Sequence, residues 1–248
     1  MNSLHPKRTV LITGGTGSIG RALVVAFAKG GFDVTFSYFS STEKARELEA
    51  QTGARAIRLD LSRPHDIELP SPFEVLVNNA GINISRVITE EVKDLDLERT
   101  LAVNCLGVFQ LCRMVLPAMR AAAFGRIVNV GSIYGLRGSQ GNAPYVMSKH
   151  ALVGLTRTIA REYGQWGITC NVVCPGPVES QLMERIAEYA ASHDGSTREA
   201  YLEDIRHRSP TGRMALPEEV AAVCLFLAMP EASHVNGADI PVDGAWIA

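Results

Sequence analysis

Short apolar runs alternate along this chain with stretches whose apolar residues recur at helical spacing. The runs at 9–13, 33–38, 55–59, 74–78, 126–131, 169–174 and 238–242 read as seven strands. Helical patterns fill most of the intervals between them. Regular alternation of this kind predicts an α/β fold with a parallel sheet covered on both faces. Right-handed crossovers then make the sheet doubly wound, with ligands at the C-terminal ends of its strands.

Two segments depart from the regular alternation. The connection 60–78 holds three prolines at Pro64, Pro70 and Pro72. A proline inside a helix costs about 3 kcal/mol, so the pattern predicts at most a short turn there. The other departure is 179–210. Leu182, Met183, Ile186 and Tyr189 fit one helical face. The polar stretch 192–197 predicts a break, and a second helix starts near Thr197.

Composition narrows the function. A chain of 248 residues with 46% hydrophobic residues has material for a sizeable core and reads as one domain over 1–248. Its formal net charge of -2 lacks the basic footprint that nucleic acid requires. No apolar stretch is expected to reach the roughly 20 residues of a membrane span. The N-terminus lacks the apolar core of a signal peptide, which makes the cytoplasm the expected compartment. Five scattered cysteines without a Cys-x-x-Cys argue against disulfides and against a metal site.

Chemistry concentrates in two places. Tyr145 and Lys149 lie four residues apart, one turn of a helix, and thirteen residues after Ser132. An ammonium beside a phenol favours the phenolate and brings the tyrosine into range for proton transfer. Near the N-terminus an apolar run leads into Gly14-Gly15-Thr16-Gly17-Ser18-Ile19-Gly20 and then into a helical pattern. Strand, glycine turn and helix are the context in which backbone approaches a dinucleotide pyrophosphate.

Further motifs stand in order between these two: Asp60 after a strand, Asn78-Asn79-Ala80-Gly81, and Asn104 within Val103-Asn-Cys-Leu-Gly107. Pro175-Gly176 follows the Tyr145/Lys149 pair. Together they make the chain resemble the short-chain dehydrogenase/reductase family over nearly its whole length. The stretch from Gly125 to Tyr145 and the tail to Gly244 look most like 3-oxoacyl-carrier-protein reductases. The resemblance implies a seven-stranded Rossmann fold and NAD(P)-dependent interconversion of ketone and secondary alcohol. In it Tyr145 exchanges the proton, Ser132 polarises the carbonyl, and Lys149 lowers the tyrosine pKa and holds the nicotinamide ribose. Asn104 holds a water that relays protons to Lys149.

The same resemblance assigns the rest of the cofactor site. Gly14, Thr16, Gly17, Ser18, Ile19 and Gly20 face the pyrophosphate. Asn79, Ala80 and Gly81 pass beneath the adenosine. Asp60 either contacts the adenine or caps the following turn, and Leu61 offers its backbone. Pro175, Gly176 and Val178 shape the nicotinamide pocket. The segment 179–210 is the substrate lid, and the assembly is a homotetramer. Its expected interfaces are the helix 98–119, with Leu101, Val108, Leu111, Val115 and Met119 as excess apolar surface, the helix to Tyr163, and the tail 238–248.

Cofactor choice rests on the end of the second strand. Tyr38 stands where NAD-specific relatives place a carboxylate, with Ser40, Ser41 and Thr42 after it and Lys44 and Arg46 nearby. Gly17 stands where many NADP enzymes place a basic residue. NADP(H) is the expectation, with NAD(H) the alternative. The spacing Gly14-x-x-Gly17-x-x-Gly20 also resembles the extended, epimerase-like branch, which generally lacks Asn-Asn-Ala-Gly. Three functions follow: reduction of a 3-oxoacyl thioester on carrier protein or coenzyme A, oxidation or reduction of a free alcohol, sugar or steroid, and dinucleotide sensing without catalysis. Where carrier-docking relatives place basic residues, this chain has Ala123-Phe124 and Gln165-Trp166. Arg120, Arg137, Arg185 and Arg206 are the substitutes.

Overall fold

The computed structural model describes residues 7–70, 72–195 and 197–248. All seven expected strands form: β1 (Thr9–Ile12), β2 (Asp33–Tyr38), β3 (Arg55–Arg58), β4 (Val75–Asn78), β5 (Gly125–Val130), β6 (Ile168–Pro175) and β7 (Asp239–Val242). They make one parallel sheet in the order β3-β2-β1-β4-β5-β6-β7. The order reverses between β1 and β4, which places a topological switch point there.

Side chains alternate across the sheet. Val10, Ile12, Val75, Val77, Val128 and Val130 point to one face and pack under α1 (Ser18–Lys29), α2 (Thr42–Thr52) and α8 (Pro217–Ala228). Leu11, Leu76 and Ile127 point to the other, under α4 (Gly107–Ala121) and α5 (Ala143–Tyr163). Each of these strand side chains contributes roughly 1.5–3 kcal/mol by burial.

The proline-rich connection forms only a short 3-10 turn, Pro64–Asp66, as its sequence predicts. Leu61, Ile67 and Phe73 drop from it into the second core and cover what a helix would cover elsewhere.

α3 (Asp94–Leu101) runs through a π turn, Ala102–Leu106, into α4. Together they make one helix of 28 residues whose 18-residue apolar window has mean hydropathy 1.5. That corrects the expectation that no stretch reaches membrane-spanning length. The helix is apolar because it serves the sheet: Val108, Leu111, Cys112, Val115, Leu116 and Met119 all lie in the second core. The same fact corrects the expected interface. Val108, Leu111, Val115 and Met119 are buried under the sheet and offer no outer surface. The exposed large apolar residues of this region are Leu95, Leu106, Phe109 and, on α5, Met147.

After β6 the chain forms α6 (Gln181–Asp194) and α7 (Arg198–Arg208). The expected break at 192–197 begins later. Helix continues to Asp194 because the first true stop signal is Gly195, which takes the left-handed conformation at φ 68°. Thr197 then caps α7 by accepting from the Ala200 N–H. Arg198 joins the two helices through an ion pair to Glu184.

Candidate active site

The glycine turn is tied to both neighbouring strands. The Gly15 N–H donates to the Ser37 carbonyl at 2.8 Å. Thr13 Oγ1 accepts from the N–H groups of Asn79 and Ala80 at 3.0 Å each. Asn79 Nδ2 donates back to the carbonyls of Thr13 and Gly14 at 2.9 and 3.2 Å. Side chains are excluded at two positions. A Cβ on Gly15 would lie 2.5 Å from the Phe36 ring, and one on Gly20 would lie 2.0 Å from the Gly14 carbonyl oxygen.

Gly17 precedes α1 without a side-chain cap. The first N–H groups of the helix therefore remain as donors, and with the helix dipole they suit an anion. A cleft of about 540 Å³ opens over them. All the expected positions on the glycine turn, with Tyr38, Ser40, Asp60, Leu61, Asn79, Ala80 and Gly81, line this cleft. A turn too tight for side chains and an uncapped helix start fit a dinucleotide.

At the far end of the cleft Asp60 is engaged in a turn. Its Oδ1 accepts from both the Ser62 N–H at 2.9 Å and the Ser62 hydroxyl at 2.6 Å. These bonds, chiefly the hydroxyl, hold its carboxyl below the ordinary range. Asp60 thus caps the next turn while it also lines the cleft. Arg58, unnoticed in the sequence, pairs in register with Tyr38, donates Nε to the Phe39 carbonyl at 3.1 Å and lies over the Phe39 ring. Strand register supplies this cation, and no motif announces it. Lys44 bonds the Gln181 side chain at 3.3 Å. The Gln181 N–H donates to Ser18 Oγ at 3.3 Å, so the start of α6 reaches the glycine turn.

Ser132 follows β5, and Tyr145 stands in the first turn of α5. Ser132 Oγ accepts from the Tyr134 N–H at 3.2 Å and acts on the Tyr145 phenol to lower its pKa. Lys149 lies one turn on, 5.5 Å from the centre of the Tyr145 ring. Its Nζ donates to the Val130 carbonyl at 2.9 Å. The expected pKa depression of Tyr145 by Lys149 is not what this arrangement produces. Burial pushes the phenol up to about 12 against the lowering by Ser132. Burial also brings the Lys149 ammonium down to about 8. Desolvation penalises both charged forms and is the largest cause of each shift.

The Asn104 side chain is engaged by its neighbours. Its Oδ1 accepts from the Ile82 N–H, and its Nδ2 donates to the Ile82 carbonyl and to Ser148 Oγ. The side chain is fully committed. The π turn around it shifts main-chain carbonyls out of the regular ladder.

Asn104, Ser132, Tyr145 and Lys149 lie off the cleft lining, Asn104 and Lys149 next to it at Gly81, and three expected cofactor-site residues lie away from it as well. Pro175 ends β6, Gly176 packs against Asp243, and Val178 is buried in the first core and bridges Ala215. Strand continuation past Cys174 and the pairing with Ala215 turn them inward. The cleft walls also include Arg99 and Val103 from the long helix and Leu182 and Arg185 from α6, of which Arg99 belongs to no sequence motif.

A family model described as enoyl-(acyl carrier protein) reductase matches residues 14–246. The D-beta-hydroxybutyrate dehydrogenase of Cupriavidus necator is 34% identical over 97% of this chain and 98% of its own. The acetoacetyl-CoA reductase of Shinella zoogloeoides is 32% identical over 96% and 97%. The crystal structure of a variant of the actinorhodin polyketide ketoreductase with NADPH is similar at a TM-score of 0.90 and 31% identity, covering 97% of each chain.

Proposed function

The chain belongs to the short-chain dehydrogenase/reductase family, and on that premise we propose that it is an NADP(H)-dependent reductase of a 3-oxoacyl thioester. The observation that carries this reading is the Tyr145 phenol, with Ser132 acting on it and Lys149 one turn behind it, at the strand ends beside the glycine turn. A relative named acetoacetyl-CoA reductase supports the thioester, and a similar structure solved with NADPH supports the cofactor.

When bound, the nicotinamide dinucleotide supplies the hydride. The chain's residues orient and protonate. The glycine turn and the start of α1 hold the pyrophosphate. Tyr38, Ser40 and Ser41 receive the 2′-phosphate with Arg58 beside them, and no carboxylate on this strand end repels it. Ser132 donates a hydrogen bond to the substrate carbonyl oxygen. Tyr145 gives its proton to that oxygen as the carbonyl carbon is reduced, yielding the secondary alcohol. A phenol whose pKa is about 12 stays protonated at neutral pH, the form that reduction needs. Lys149 anchors the nicotinamide ribose and carries the cation that stabilises the phenolate left behind.

The same reading takes 1–248 as one domain, in which 179–210 closes over the substrate as a lid, and four chains as the working assembly. Oxidation of NADPH by the purified protein with acetoacetyl-CoA, acetoacetate and simple cyclic ketones tests it. Turnover of the thioester well above the free acid is the expected result. Turnover of acetoacetate alone would favour the second reading, a dehydrogenase of a free hydroxy acid, to which the hydroxybutyrate dehydrogenase relative points.

A further inference from the structure

A second cavity of about 410 Å³ lies beside the cleft. One wall is the segment after β4, from Asn83 to Lys93, and the other is α6. Asn83, Ile84, Leu182 and Arg185 line both spaces, so the two adjoin. The shared wall is tied to the start of the helix that carries Tyr145. Asn83 Nδ2 donates to Asn142 Oδ1 at 3.1 Å, and Asn142 is the residue on which α5 begins.

The lining has a double character. Ile84, Leu182 and Tyr189 are large apolar side chains left exposed by the fold, and all three face this cavity. Around them stand Arg86, Lys93 and Arg185 against Glu91 and Asp96. Among the described residues none of the three cations has an ion-pair partner. The rim therefore carries an excess of positive charge over an apolar floor.

The four arginines nominated from the sequence separate here. Arg120 lies over the Trp166 ring at 5.2 Å, Arg206 pairs with Glu203 at 3.2 Å, and Arg137 bonds the Gly138 carbonyl. Arg185 lines both cavities.

We propose that this cavity is a subsite for the distal arm of the substrate, taking a chain that ends in phosphate, with Arg185 as the main cation and Arg86 and Lys93 at the rim. The inference rests on the thioester reading above. The volume falls in the range of small-molecule pockets, roughly 300–1,000 Å³, and exceeds what a short carboxylate needs. A guanidinium fork suits phosphate oxygens. The apolar floor accommodates the methylene and dimethyl groups of a pantetheine-like spacer between the phosphate and the reacting carbonyl.

Two substrates isolate the phosphate: the 3-oxobutyryl thioesters of pantetheine and of 4′-phosphopantetheine, each measured with saturating NADPH. The phosphorylated thioester is expected to have a kcat/KM about tenfold higher, the worth of one charge-assisted hydrogen bond. The difference lies in KM and shrinks as salt rises. Arg185→Gln collapses the ratio between the two thioesters toward one, and Lys93→Gln lowers it partly. A ratio near one in the wild type, or a ratio that survives Arg185→Gln, overturns the inference. If Arg185→Gln weakens NADPH binding by fluorescence titration and leaves the ratio intact, Arg185 serves the cofactor instead. If neither thioester is reduced while free ketones are, the thioester reading has failed and the subsite falls with it.

Discussion

Asn104 holds Ile82 by both of its backbone polar groups: the Ile82 N–H donates to Oδ1 and the Ile82 carbonyl accepts from Nδ2, each at 2.9 Å. The clamp fixes the strand end where the cleft turns toward Tyr145. Asn104→Ala leaves two half-buried backbone groups unpaired, and Ser148 also loses its donor. The expected loss is about 2–4 kcal/mol of stability, read by urea titration. Asn104→Asp keeps the acceptor and loses the donor, so it is expected to recover only part of that loss. A variant as stable as the wild type would mean the clamp is slack in solution.

Tyr145→Phe removes the proton and keeps the ring. Turnover is expected to fall about 10²–10⁴-fold, while the Kd for NADPH stays within a factor of a few. The check is steady-state kinetics with acetoacetyl-CoA beside fluorescence titration of the cofactor. Near-normal kcat would remove Tyr145 from proton transfer.

Lys149 gives stability a pH signature. Its ammonium sits at about 8 against an ordinary 10.5 because burial disfavours the charge. Between those values the unfolded chain binds the proton that the folded chain has lost. Stability contributed by this group therefore rises with pH from about 8 toward 10.5, by about 3 kcal/mol at most. Tyr145, raised by burial, acts in the opposite sense above pH 10, so the clean window is 8 to 10. The stability of the wild type relative to Lys149→Met, measured by urea unfolding, is expected to climb across that window. A flat difference would mean the lysine is solvated.

Tyr38→Asp places a carboxylate at the end of β2. It would repel a 2′-phosphate and pair with ribose hydroxyls, so preference is expected to move from NADPH toward NADH by at least about tenfold. Ratios of kcat/KM for the two cofactors measure it. An unchanged ratio would transfer the discrimination to Arg58 and the serines.

Leu106 and Phe109 are 54% and 50% exposed on the outer side of the long helix, with Met147 exposed on α5. Association through this face is the expected reason for them. Leu106→Glu with Phe109→Glu is expected to turn a tetramer into smaller species in light scattering at micromolar concentration. A wild type that is already monomeric would leave these side chains without that role.

The strands were legible because buried parallel strands write long apolar runs, and all seven fall within a residue or two of expectation. The glycine turn was legible because its glycines are demanded by contacts a Cβ would violate, as at Gly15 and Gly20. The face of the long helix was not. Val108, Leu111, Val115 and Met119 recur at helical spacing and mark one face, but spacing alone does not say whether the sheet or another chain covers that face. Arg58 carried no sequence signal, and Arg185 could be nominated from the sequence but not placed. Their positions depend on strand register and on how α6 lies across the cleft, which no local pattern encodes. The sign of the Tyr145 shift failed likewise: spacing reveals the neighbouring cation, whereas burial is a property of the completed fold.

The reversal of strand order between β1 and β4 also governs when the site comes into being. Thr13 grips Asn79 and Ala80 across a separation of 66 and 67 residues, and Ser18 meets Gln181 across 163. As the ribosome delivers the chain, the glycine turn emerges early but stays without its partners until β4 has followed. The roof over it waits for α6. Dinucleotide capture thus waits for the start of α6, and fragments ending before Gln181 carry the fingerprint without the receptacle.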